Sequence, residues 1–271
     1  RTTMEAMEVS ADPVVFSHSN PRAVWDHERN ITDEQVRACA ATGGGVGVNG
    51  LGIFLGENDS STGRMVEHAC HLADLVGAEH VGLGLDHLPE GADLAGELIA
   101  RPDFWPPGQQ YDTPDITGAH PGQVHGICGQ LLDRGFSDAE VSGILGGNFL
   151  RALAERESAA GTLRLGFARQ GGQAVATQLW TIDRGVALIH KLAHDKAFDA
   201  RSPGTLLSHA MFRHAIDQDR VTMIDYGTGD NGYKTDWMER RIPLPRVDAF
   251  NPRAVNQWPA AVRAMISALV G

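Results

Sequence analysis

Pro13-Val-Val-Phe-Ser-His18-Ser-Asn20, Gly43-Gly-Gly-Val-Gly-Val-Asn49 and His80-Val-Gly-Leu-Gly-Leu-Asp86 decide the fold of the first half of the chain. Each is a short run of small and branched apolar residues that closes on a polar side chain, the pattern of a strand buried on both faces. Between the first two, Asn30-Ile-Thr-Asp-Glu34 starts a helix. Thr32 is its N-cap and Gln35 the capping-box partner, and the helix is expected to run through Val36 and Cys39 to about Thr42. Thr62 to Val76 reads as another helix, with Met65, Val66, Ala69, Leu72 and Val76 roughly on one side. Strand, helix, strand, helix, strand predicts βαβ units in a parallel sheet with helices outside. The C-terminal tips of such strands carry the chemistry, and Ser17 to Asn20 are expected on that rim and not inside the sheet. The glycines of 43–47 precede their strand and lack a following Gly-Lys-Ser/Thr, so this is no phosphate loop.

Working outward, residues Thr2 to Val9 read as the end of a helix and Pro21 to Trp25 as a helical turn. From His87 to Gly122 the chain is rich in Pro, Gly and Asp and includes Phe104-Trp-Pro-Pro-Gly-Gln-Gln-Tyr111. A loop this long is either a lid over a site or an ordered bystander. Val124 to Arg134 forms a helix stopped by Gly135. Ser137-Asp-Ala-Glu140 caps the next, with Val141, Ile144 and Leu145 on its apolar face, and 146–150 lead into a final helical turn near Ala154.

The rhythm changes after Glu157. Thr162 to Ala168, Gln173 to Ile182 and Val186 to Leu192 read as strands joined by Gly171-Gly172 and Asp183-Arg-Gly185, connections so short that they force antiparallel pairing. Ser202-Pro-Gly204 introduces a helix from Thr205 to about Asp217, offering Leu206, Leu207, Met211, Phe212 and Ile216 to a core. Val221 to Tyr226 is a further strand, 227–232 a loop, and Ala254 to Val270 a tail helix that Pro259 interrupts. The fold class is therefore α/β, a partial barrel-like segment over 1–157 followed by an α+β segment over 158–271.

The 271 residues carry a net charge of −11, which argues against a general nucleic-acid or anionic-membrane surface. Three widely spaced cysteines, Cys39, Cys70 and Cys128, fit a reducing compartment and structural thiols better than a disulfide framework. No apolar run approaches the length of a transmembrane span, so a soluble cytoplasmic protein is the expectation, although a segment ahead of Arg1 could carry a targeting signal.

His18 and Asp86 each lie just past a strand end on one rim. There they can ligate a metal or share a proton, or form an ordinary hydrogen-bond network. Arg29 can hold a carboxylate bidentately or be solvated. His27, His68, His71, His80, His120 and His125 form no short metal spacing and read as surface or supporting residues. In the second half, Gly204 at a helix start exposes amides to which an anion can bind, or is a helix start and nothing more. His190, Lys191, Asp225, Asp230 and Lys234 are the polar groups nearest strand ends.

Residues 1 to about 155 resemble the C-terminal part of the membrane or renal dipeptidase family, zinc enzymes with an amidohydrolase-like TIM barrel. The resemblance rests on the stretches ending at Asn20 and Asp86, on Arg29-Asn-Ile-Thr-Asp-Glu, on Arg134-Gly-Phe-Ser-Asp and on Ile144-Leu-Gly-Gly-Asn-Phe-Leu-Arg151. It implies that His18 is a ligand of one of two zincs, that Arg29 receives the substrate and that Asp86 is the aspartate near the metal-bound nucleophilic water. The substrate it implies is a dipeptide or small amide. The family pattern also calls for an early His-x-Asp pair, a bridging glutamate and a further histidine that this sequence does not supply, so an incomplete metal site is expected, with open sheet edges available for self-association.

Residues 161 to about 253 resemble the C-terminal half of a GNAT-like acyltransferase domain of the FemAB- and CelD-related type. The matching stretches are Gln173-Ala-Val-Ala-Thr-Gln-Leu-Trp180, Ile189-His-Lys-Leu-Ala-His-Asp195, Ser202-Pro-Gly-Thr-Leu-Leu207, Ile224-Asp-Tyr-Gly-Thr-Gly-Asp230 and Tyr233-Lys-Thr-Asp-Trp237. This resemblance implies acyl-CoA bound at Ser202, Gly204 and Thr205. The joint expectation is a fusion of two enzyme segments, dipeptidase-like hydrolase first and CoA-dependent N-acyltransferase or non-catalytic remnant as the alternatives.

Overall fold

The first helix and strand, α1 (Thr2–Val9) and β1 (Val15–Phe16), are followed by α2 (Asp33–Ala41), β2 (Gly45–Asn49), α3 (Gly52–Leu55), α4 (Thr62–Val76) and β3 (Val81–Gly84). The computed structural model describes residues 2–87, 96, 98, 105, 108–113, 115–229 and 232–243. The three strands form a parallel sheet in the order β1-β2-β3, with Val15 opposite Gly45 and Val46 opposite Val81. Every residue of β2 is buried, as a central parallel strand requires. The expected capping box is present at Thr32 and Gln35, and α4 buries Met65, Val66, Ala69 and Leu72.

Glycine in these strands answers a specific need. The chain leaving β1 folds back across the sheet, and a Cβ at Gly47 or Gly84 would collide with the carbonyl oxygen of Ser17. A Cβ at Gly82 would strike the ring of Phe149. Strands of larger residues would push both neighbours away.

Helices α5 (Val124–Asp133), α6 (Asp138–Ser142) and α7 (Asn148–Ala159) follow, with a π-helical turn at Gly143–Gly147 between the last two. Ser137 and Glu140 form the expected capping box. Two expectations are corrected here. Gly146 takes φ 131 inside the turn, which breaks the helical face, and Leu145 is 39% exposed while Ile144 is fully buried. Beyond the turn the chain continues to Ala159 as a full helix, Asn148 bonding its start to the carbonyls of Ala78 and Val81 at 2.8 Å each.

The second sheet runs β4 (Leu163–Gln170), β5 (Gln173–Asp183), β6 (Val186–His194) and β7 (Met223–Asp225) in that order, the first three antiparallel. Gly171 and Gly172 both have positive φ, the conformation a two-residue hairpin turn requires. Helix α8 (Pro203–Asp217) covers one face. A Cβ at Gly166 would meet Met211, the Gln178 amide donates to Ser208 Oγ at 2.8 Å, and Trp180 packs edge-on to Phe212. This helix starts two residues earlier than expected, Pro203 serving as its first residue. Leu206 and Ile216, expected in the core, are 66% and 51% exposed; Leu207 and Met211, expected there too, are buried, as is Ala215.

Neither sheet closes into a full barrel among the described residues. The chain divides into compact units at 1–224 and 225–271. In the second, α9 (Gly232–Thr235) brings the Lys234 ammonium to the carbonyl oxygens of Tyr226 and Thr228 at 3.1 and 2.5 Å. The tail helix expected over 254–270 lies outside the described residues, as does most of the expected lid.

Candidate functional site

His18 sits two residues past β1, and the guanidinium of Arg29 reaches its Nε2 at 3.3 Å. A guanidinium only donates, so Nε2 is the acceptor and Nδ1 carries the proton that it gives to Ser17 Oγ at 2.7 Å. Arg29 is itself well supported. Its backbone N–H donates to His27 Nδ1 at 3.0 Å, and its guanidinium lies 5.8 Å from the centre of the Phe54 ring. The buried His27 stands edge-on to the same ring and donates Nε2–H to the carbonyl of Gln109 at 3.2 Å. Burial is the largest influence on His27 and lowers its pKa, so it remains neutral beside Arg29.

Asp86 lies two residues past Gly84, over which the backbone of Ser17 and His18 passes. It is exposed, takes the left-handed conformation at φ 53, and accepts a hydrogen bond from Asn49 Nδ2 at 3.3 Å. Asn49 is buried, and its Oδ1 accepts from the Leu51 N–H at 2.7 Å. The Asn20 side chain clasps its backbone, accepting from the N–H at 3.0 Å and donating to the carbonyl at 3.2 Å. Ser19 and Asn20 are buried, and Asn20 meets Asn49, the last residue of β2, at the C-terminal end of the sheet. The sequence signal for the pair was one asparagine at the end of each of two neighbouring strands. His18 and Arg29 are brought together; the hydrogen bond of Asp86 runs to Asn49.

A cavity of about 470 Å³ opens beside Arg29, lined also by Phe16, Ser19, Arg22, Asn30 and Thr32. The donor set for a metal is thin. Arg29 occupies the imidazole lone pair of His18, and among the described residues no group of three or more His, Cys, Asp or Glu side chains could hold a metal ion. Other histidines have structural roles. Of the surface and supporting places expected for His68, it takes the second: it is fully buried, donates Nε2–H to the Leu55 carbonyl at 2.9 Å and leaves Nδ1 without a partner among the described residues; burial lowers its pKa. His71 pairs with Asp33 at 3.0 Å and His80 bonds the Gly44 carbonyl at 2.6 Å. Cys39 is buried, donates to the Val14 carbonyl at 3.0 Å, and is pushed up to about 11 by desolvation, an inert thiol as expected.

In the second segment Ser202 adopts φ 46 and turns the chain into α8. The first bond of this helix runs from Leu206 N–H to the Ser202 carbonyl at 3.1 Å, so the amides of Gly204 and Thr205 precede it. The Gly204 carbonyl accepts from Gln178 at 3.4 Å. His190 is exposed, bonds Thr181 Oγ1 at 2.8 Å, and has its pKa lowered by partial desolvation. Lys191 is exposed. Asp225 closes a turn by accepting from the Gly227 N–H at 2.7 Å, Lys234 is held by backbone carbonyls, and Asp230 lies outside the described residues.

Residues 1–98 match the membrane dipeptidase family, peptidase family M19, and residues 138–235 match the GNAT acetyltransferase domain. A curated dipeptidase of Schizosaccharomyces pombe is 27% identical over 162 residues, covering 58% of this chain and 34% of its own length. Dipeptidase 3 of Macaca fascicularis is 30% identical over 152 residues, covering 56% of this chain and 27% of its own. The chain thus spans about a third of the length of the curated relatives it matches. The crystal structure of an amidohydrolase from Pseudomonas aeruginosa is 26% identical with a TM-score of 0.50, covering 56% of this chain and 48% of that one. The chain has a two-segment architecture, a dipeptidase-like segment followed by a GNAT-like acyltransferase segment, and the first has the dipeptidase/amidohydrolase-like fold.

Proposed function

We propose that residues 1–157 retain the substrate-receiving part of a dipeptidase site and bind a dipeptide or small amide through Arg29, without hydrolysing it in this chain alone. The observation that carries this reading is Arg29 at the wall of the 470 Å³ cavity, its backbone held by His27 and its guanidinium by His18 and the Phe54 ring, from where it can take a carboxylate through two parallel hydrogen bonds. The described donors do not fit a two-zinc centre, since the lone pair of His18 is spent on Arg29 and no group of three or more His, Cys, Asp or Glu side chains comes together among the described residues. Zinc therefore enters the proposal only as the ion of the family. Titration calorimetry with an unblocked dipeptide is expected to show binding that Arg29→Ala abolishes, with no hydrolysis after zinc is added. About two zincs retained per folded chain, with zinc-dependent hydrolysis lost in His18→Ala and Asp86→Ala, would overturn the incomplete-site reading.

A second reading applies to residues 158–271. The free first-turn amides at Gly204 and Thr205, next to the left-handed Ser202, favour an anion such as the pyrophosphate of acyl-CoA. Acyl-CoA binding that Gly204→Val removes and Arg29→Ala leaves intact supports it; no binding by the folded chain sinks it. Among the described residues no helix is long and apolar enough to cross a membrane. The free thiols of Cys39, Cys70 and Cys128 are the support for placing the protein in a reducing, cytoplasmic setting.

A further inference from the structure

Strand β4 is eight residues long and ends the four-strand order, with no strand on its outer side among the described residues. Ile182 N–H donates to the Thr162 carbonyl, which makes 162 and 182 a hydrogen-bonded pair. The register is continuous from Leu163↔Thr181 to Ala168↔Ala176, so alternation turns the backbone groups of Arg164, Gly166 and Ala168 inward to β5. Those of Leu165 and Phe167 consequently point out of the open edge. Their side chains lie on the face opposite α8, since Gly166 between them faces Met211, and they are 47% and 51% exposed. An edge strand of this length that carries two large apolar side chains, with neither Pro nor Lys along it, is a template for another strand.

We propose that β4 pairs antiparallel with β4 of a second copy about a two-fold axis through Gly166. This register brings the outward N–H and C=O of Leu165 against those of Phe167 in the partner copy, and the reverse, so that both strands use groups that pairing with β5 leaves free. It opposes the two exposed apolar side chains to each other as an aliphatic–aromatic cross-strand pair. Gly166, lying on the axis, keeps its own backbone bonds to β5. The charges are compatible: Arg164 falls opposite Ala168 and Leu163 opposite Arg169, so no like charges meet, and Arg164 is already held by Asp219 at 2.6 Å. The interface is isologous and closes at two copies, giving one continuous sheet across the dimer. It uses neither the Arg29 cavity nor the start of α8, so it stands apart from both functional readings.

Sedimentation velocity of the full chain over a concentration series is expected to show a species of twice the 29.1 kDa chain mass. Leu165→Glu with Phe167→Glu places carboxylates opposite each other and is expected to return the mass to that of one chain. Leu165→Lys with Phe167→Glu places opposite charges at the same positions and is expected to restore the dimer, now weakened by salt. The charge-paired variant makes as many apolar-to-charged changes, so its recovery separates lost pairing from lost folding, and circular dichroism of all three proteins checks the fold directly. A chain that stays at single mass throughout the series, or a dimer that is untouched by the paired glutamates, overturns the proposal.

Discussion

The two sheets of this protein are stabilised by different means. In the first, the critical contacts are made to backbone: the Ser17 carbonyl lies over Gly47 and Gly84, and the Asn20 amide clasps both main-chain groups of Asn49. In the second, they are made between side chains. Gln178 joins Ser208 and Trp180, and Arg164 holds the nearly buried carboxylate of Asp219 by its Nε and Nη2. The difference follows from topology. A parallel strand needs neighbours distant in sequence and is buried on both faces, so small residues and backbone clasps fit it. An antiparallel meander pairs with its own sequence neighbours and has a whole helix-facing side to fill with large groups. Polar groups at the ends of the first sheet bond from one strand end to the next, while those within the second join the sheet to its helix.

This contrast can be broken at its strongest point first. Trp180 is fully buried and donates to Gln178 Oε1 at 3.0 Å, so Trp180→Ala is expected to cost about 3–5 kcal/mol in urea unfolding. Asn20→Ala strips partners from the buried N–H and C=O of Asn49 and is expected to cost about 1–3 kcal/mol. If Asn20→Ala were neutral, the backbone-clasp account of the first sheet would fail. Thr32→Ala removes only a cap, and a loss of about 1 kcal/mol is expected from the same measurement.

The smallest effect near neutral pH concerns His68. Its folded pKa is below the ordinary 6.5 because the ring is buried, so the unfolded chain takes up the proton first as pH falls. Stability from this group is complete above 6.5 and declines as pH drops below 6.5 toward the lowered value, with a slope of at most about 1.4 kcal/mol per pH unit for one proton. His27 is lowered as well and adds to the same trend. His68→Gln is expected to flatten part of the decline in unfolding curves taken on either side of pH 6.5. An unchanged pH profile would mean that the ring titrates normally.

The sequence by itself determined the local elements and their order. Thr32 with Gln35 and Ser137 with Glu140 announced helix starts because a capping box satisfies first-turn amides within a few residues. Gly171-Gly172 announced a hairpin because both positions need positive φ. The two family resemblances were legible in motifs for the same reason, since they lie in contiguous stretches. Tertiary structure alone decided which polar groups meet. His18 and Arg29 are joined through a turn that Phe54 and His27 buttress, and Asp86 goes to Asn49 on another strand. Burial of His68 and exposure of Leu145, Leu206 and Ile216 were also decided there. Amphipathic spacing shows which residues share a helix side, but how far the neighbouring sheet reaches along that side depends on contacts between residues far apart in the chain.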